Sequence, residues 1–133
     1  MRIGELLLAG RYITENDLHA GLRMHVTHGE QLGECLVSLG AISEDSLLRV
    51  LSAQLEIPYY PSISTMISSE AKSLIDKSTA LKFKVVPGIN DGLRYIFMHE
   101  GMESALSWLK SSEVNASPAL AKKSDIRLAI DAY

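Results

Sequence analysis

The first 54 residues contain the same pattern twice. Shifting Arg2–His25 by 29 positions lays it over Gln31–Gln54, and seven of the 24 pairs are then identical: Gly4/Gly33, Glu5/Glu34, Leu7/Leu36, Ile13/Ile42, Glu15/Glu44, Leu18/Leu47 and Leu22/Leu51. Ile3/Leu32, Leu8/Val37, Thr14/Ser43 and Asn16/Asp45 are near equivalents. A repeat this short is one supersecondary unit used twice, because a single copy cannot bury its own apolar face. Two such units side by side suit a ligand with two similar halves or a continuous docking face.

Each copy reads as a short helix, a tight turn and a longer helix. In the second copy Leu32, Cys35, Leu36 and Leu39 recur at helical spacing, and Gly40 supplies a stop. Ser43 is then an N-cap with Glu44 and Asp45 in the first turn, and Leu47, Leu48, Val50, Leu51 and Leu55 form the inward face. Pro58 ends that helix near Ile57. In the first copy Thr14 is the N-cap, with Asp17 completing a capping box. Leu18, Leu22 and Val26 face inward, and Gly29 ends the helix. Leu18, Leu22, Leu47 and Leu51 are expected at the seam between copies.

The remainder differs in character. Residues 58–68, rich in Pro, Tyr, Ser and Thr, read as a linker between a helical unit at 1–57 and a small α/β unit at 69–133. Ser69–Ser78 reads as a helix. Phe83, Val85 and Val86 suggest a strand, Gly88–Gly92 a turn, and Leu93–Met98 the returning strand, with Asp91-Gly92 as the hairpin signal. A helix over Met102–Leu109, a weak strand near Val114 and a final helix over Lys122–Ala132 complete the chain. The expected fold class is α+β: a four-helix tandem repeat, then a short sheet with helices.

Composition narrows the function. The net charge is −3 with both signs interspersed, which gives no broad surface for duplex nucleic acid. The one cysteine, Cys35, occupies a repeat position held by Leu6 in the other copy and reads as a buried apolar residue. No apolar run reaches the ~20 residues of a membrane span, and a cytoplasmic chain without membrane insertion is expected. Phosphate-loop, nucleophile-elbow and Cys/His signatures are missing from the sequence, so neither catalytic nor metal-ligating residues are assigned and no enzyme activity or required cofactor is expected. His25 and His28 lack the carboxylate or thiolate partner that a metal site needs.

The tandem pattern resembles the N-terminal domain of type II secretion and type IV pilus assembly ATPases, the MshEN type. That motif runs Arg-Leu-Gly, two apolar residues, Gly, later leucines and a closing Gln. The five-residue spacer Val26–Glu30 matches the family's spacing. Leu55-Glu56-Ile57-Pro58-Tyr59 resembles the family's continuation, and Val85-Val86-Pro87 and Ile126…Ile130…Tyr133 match more loosely. The resemblance implies a bacterial regulatory module that binds cyclic di-GMP, one half of the dinucleotide per motif. It also implies a protein partner in a secretion, pilus or motility machine. Carried over position by position, the ligand residues are Arg2, Ile3, Gly4, Leu18, Leu22 and His25 from the first copy. Gln31, Leu32, Gly33, Leu47, Leu51 and Gln54 come from the second. The pattern is altered at two polar positions, His25 for Gln and Gln31 for Arg, and the first mid-motif glycine is displaced to Gly10 with Arg11 in its place. Arg11 and Arg23 could supply compensating charge. The alternative implied is a docking module that keeps the fold and has lost the nucleotide.

Overall fold

The computed structural model describes residues 3–99 and 102–133. It separates into two compact units, Met1–Glu56 and Ile57–Tyr133. Among the described residues there are eight α-helices and one three-stranded sheet, so the fold is α+β.

The first unit holds α1 (Ile3–Ala9), α2 (Glu15–His28), α3 (Leu32–Ser38) and α4 (Glu44–Leu55). The repeat is reproduced bond for bond in the backbone. After α1 the N–H groups of Arg11 and Tyr12 donate to the carbonyls of Leu8 and Leu7. After α3 those of Gly40 and Ala41 donate to Val37 and Leu36, the same bonds 29 residues on. This crossed pair is a Schellman close, and it needs a left-handed residue at its centre. Gly40 supplies it at φ 75°, and Arg11 supplies it at φ 62°. The displaced glycine has its own reason. A Cβ on Gly10 would lie 2.7 Å from the Tyr12 ring, so the glycine makes room for the tyrosine while the arginine takes the turn.

The longer helices start alike as well. Thr14 accepts from the Asp17 N–H and Asp17 returns the bond to Thr14, a complete capping box; Ser43 accepts from the Ser46 N–H. Leu7 and Leu36 are fully buried, and Ile13 and Ile42 nearly so. The copies then diverge. Leu47 and Leu51 are buried, but their counterparts are less so: Leu18 is half-buried and Leu22 is 41% exposed. Helix α2 packs on α1 and α3, with Gly21 buried at the contact with α3. Leu22 and Val26 lie roughly 100° and 140° around the helix from Gly21, off that face. Val26 is accordingly 82% exposed, and the expected inward position is corrected. Leu55, in the last turn of α4, and Leu39, the C-cap of α3, also reach solvent.

In the second unit the chain from Ile57 is part of the structure. Tyr59 bridges to Leu120, the Tyr60 N–H donates to the Leu120 carbonyl, and Ile63 is buried. Residues 58–68, expected as a linker, thus cluster with the second unit. The single helix expected over Ser69–Ser78 is two, α5 (Ser69–Lys72) and α6 (Lys77–Phe83). Asp76 separates them by accepting from the Thr79 N–H as an N-cap, and hydrogen bonds from the Thr79 side chain and then from its N–H hold the Asp76 carboxyl below its ordinary value. Phe83, expected in a strand, is the last residue of α6.

Strand β1 (Val86–Asn90) runs through the expected turn, which contracts to Asp91-Gly92, both at positive φ, as a two-residue hairpin requires. Strand β2 (Leu93–Met98) is central, antiparallel to β1 and parallel to β3 (Ser117–Leu120). The parallel pairing demands a crossover, which α7 (Glu103–Ser111) provides. Ile96, Phe97 and Met98 are all buried, because both faces of β2 are covered. Helix α8 (Lys123–Asp131) packs on α6, β1 and β2 through Ile126 and Ile130. The Tyr133 hydroxyl donates to the Lys72 carbonyl at 2.7 Å and pins its end to α5.

Gly40 has open space around its Cβ position, so Gly40→Ala meets only the left-handed backbone penalty, about 1–2 kcal/mol. Arg11→Ala at the equivalent turn exchanges one β-carbon residue for another and should change stability far less; denaturant melts of the two variants would show the difference. Burial, and then the charge of Asp76, raise the Tyr133 phenol above its ordinary value of 10.0. A raised acid contributes stability that is full below 10.0 and lost as pH rises through the folded value. Tyr133→Phe should therefore show a shallower alkaline loss of stability in melts taken across that range.

Candidate functional site

The twelve motif positions distribute over the first unit by the repeat. Ile3 and Gly4 lie on α1, and Leu18, Leu22 and His25 on α2. Leu32 and Gly33 open α3 behind its N-cap Gln31, and Leu47, Leu51 and Gln54 lie on α4. Arg2 lies outside the described residues.

The structure brings three of these together directly. A Cβ on Gly4 would be 2.9 Å from Leu18 Cδ1 and 3.1 Å from Leu32 Cδ2, so both leucines close over the bare backbone of α1. Gly4 and Gly33 are buried, and Leu18, Leu32 and Ile3 are half-buried. Leu47 and Leu51 belong to the core, at 2% and 7% exposure. The polar positions His25, Gln31 and Gln54 are exposed, as is Leu22 one turn before His25.

His25 is held in place. Its Nδ1 bonds the carbonyl of Glu30 across the spacer, and the Cys35 thiol donates to that same oxygen at 3.9 Å. A carbonyl can only accept, so Nδ1 carries the proton, and in the neutral ring Nε2 is an acceptor. Gln31 makes no side-chain cap to its own helix, which leaves the amide of that residue out of local capping. The motif's glutamine offers a donor and an acceptor; His25 in this tautomer offers an acceptor, and a donor at Nε2 only when protonated. Arg11 and Arg23 are both exposed.

Gly21 was not singled out by the repeat, since Val50 stands at the equivalent place. A Cβ there would lie 2.8 Å from Leu36 Cδ2 and 3.2 Å from Leu32 Cδ1. Only a glycine lets α2 approach α3 this closely, and the contact sets where Leu32 sits. An isolated helical glycine was the available signal. Gly21→Ala should destabilise despite its gain in helix propensity, since overpacking a fully buried leucine costs about 1–3 kcal/mol against a gain of about 1. Gly4→Ala should cost less, because its neighbours are the free ends of half-buried leucines; urea melts of both variants would rank them.

Among the described residues no group of three or more His, Cys, Asp or Glu is placed to hold a metal ion, and no helix is long and apolar enough to cross a membrane.

No family model matches the sequence. Solved structures share its fold. A structure of MshE with cyclic di-GMP superposes at a TM-score of 0.81, covering 100% of this chain and 99% of that one at 23% identity. The N-terminal domain of XpsE superposes at 0.65, covering 99% and 93% at 19% identity. The type IV pilus assembly ATPase PilB of Thermus thermophilus is 28% identical over 86 residues, which is 65% of this chain but 10% of PilB. The chain thus has the fold of the N-terminal domain of XpsE and of MshE, and its resemblance is to the N-terminal domains of type II secretion and type IV pilus assembly ATPases.

Proposed function

We propose that this chain is a non-enzymatic regulatory module that binds cyclic di-GMP through its first unit and couples it to a secretion, pilus or motility machine. The observation that carries this reading is the reproduction of the repeat in the backbone: both Schellman closes and both N-caps recur at an offset of 29 residues. A ligand with two chemically equal halves would suit two half-sites carried on the same backbone frame, even where their side chains differ in exposure. The cyclic di-GMP named with MshE, at full coverage of the fold, supports the choice of ligand.

In this reading the half-buried Leu18 and Leu32 and the exposed Leu22 offer apolar surface to the bases. Arg2, His25, Gln31 and Gln54 supply polar contacts. Guanidinium and amide groups suit base edges and phosphate, because both form paired, directional bonds. With Nδ1 engaged on Glu30, His25 can donate to a phosphate oxygen only as imidazolium.

A second reading is favoured by the same residue. His25 is already committed to the spacer carbonyl, and two polar positions depart from the motif, so the module would dock a partner protein and no longer take the nucleotide. Calorimetric titration with cyclic di-GMP separates the two. A charge-assisted hydrogen bond is worth about 1.5–3 kcal/mol, roughly ten- to hundredfold in affinity. Binding should therefore be weak in the native chain, improve by about that factor in Gln31→Arg, and be lost in Arg2→Ala. No heat at near-millimolar nucleotide in either the native chain or Gln31→Arg would reject the cyclic di-GMP reading and leave docking.

A further inference from the structure

One side of α8 lines a trough of about 240 Å³ that lies wholly within the second unit. Helix α8 contributes Lys123, Ile126, Arg127, Ile130 and Asp131, a single helical stripe. Opposite stand Leu81 of α6, its C-cap Lys84, and His99 just beyond β2. The floor is apolar: Ile126 and Ile130 are buried, and Leu81 rises from it at 55% exposure. The rim carries three cations, Lys84, Lys123 and Arg127, against one carboxylate, Asp131.

This sign is opposite to that of the whole chain, whose net charge is −3. The Lys84 ammonium and the Arg127 guanidinium make no hydrogen bond or ion pair among the described residues. Helix α8 also begins Lys122-Lys123, with no side-chain cap at Lys122, which puts positive charge where the helix dipole disfavours it. An apolar floor with a cationic rim is complementary to one kind of surface: apolar residues flanked by carboxylates.

We propose that this trough docks an acidic amphipathic helix of a partner protein. The partner's apolar side chains, one turn apart, would cover Leu81, Ile126 and Ile130. Its Glu or Asp residues would meet Lys84, Lys123 and Arg127. Lys123 to Asp131 spans roughly 12 Å of helix, about two turns, and Asp131 at the far end sets the direction by disfavouring an acid there. The proposal is independent of nucleotide binding, because every residue it uses belongs to the second unit.

The test uses the full chain, labelled with nitrogen-15, and two synthetic helical peptides. One carries Leu at one-turn spacing with Glu on the flanks; the other has Lys in place of each Glu. The Glu peptide should shift the amides of Leu81, Lys84, Ile126 and Ile130 saturably, and added salt should weaken it. The Lys peptide should not. In the double variant Lys84→Glu with Arg127→Glu the Glu peptide should bind roughly tenfold more weakly and the Lys peptide should gain binding. A gain cannot come from misfolding, and the amide spectrum checks the fold directly. The proposal is overturned if the Glu peptide leaves these amides unmoved, or if the double variant keeps its preference. It is equally overturned if the same amides shift with protein concentration alone, which would assign the trough to a second copy of this chain.

Discussion

A helix of seven residues does not persist alone in water, because its nucleation cost exceeds what so few bonds return. Both α1 and α3 are of that length. Each therefore depends on the turn that folds the following helix back over it. That turn closes only if one residue takes the left-handed conformation, at Arg11 in one copy and Gly40 in the other. The closes fix Leu7 and Leu36 in the core, where their carbonyls accept from the Tyr12 and Ala41 N–H groups. Helix caps at Thr14 and Ser43 then start the longer helices in matching places. The matching placement of the two motif copies in the first unit is a consequence of this geometry.

The equal frame carries unequal surfaces. Leu47 and Leu51 are buried, while Leu18 and Leu22 are progressively uncovered. Gly21, with Val50 at its counterpart, lets α2 sit close against α3 and turns Leu22 away from the contact. The two halves of the candidate site thus differ in which leucines are available, beyond the differences at His25 and Gln31. A ligand with two equal halves would meet one half-site with more exposed apolar surface than the other.

Much of this was legible in the residues, for reasons that are local. The repeat, the caps at Thr14 and Ser43, the stop at Gly29 and the Asp91-Gly92 hairpin each rest on chemistry between near neighbours in the chain. What was not legible depended on distance. Arg11 standing in for glycine cannot be read from propensity, since the turn is imposed by the packing of the helices it joins. The outward Val26 and Leu55 fit apolar spacing as well as the buried leucines do, and only the placement of α1 and α3 distinguishes them. Asp76 split a helix that apolar spacing alone read as continuous. The last strand lies at Ser117–Leu120 and not near Val114, because its register answers to β2, which is distant in the chain.

The trough on α8 shows the same division between local and distant information. Ile126, Ile130 and Tyr133 are legible as one apolar stripe of a helix, and the structure buries the two isoleucines. The cations are scattered in sequence across Lys84, Lys123 and Arg127, and nothing local joins them. They meet because β2, α7 and β3 form a crossover that returns the chain beside α6. Charges that are interspersed along the chain are therefore segregated in space. The interspersed charges alone point to no cationic surface on α8, whereas the fold collects three positive rim positions over an apolar floor.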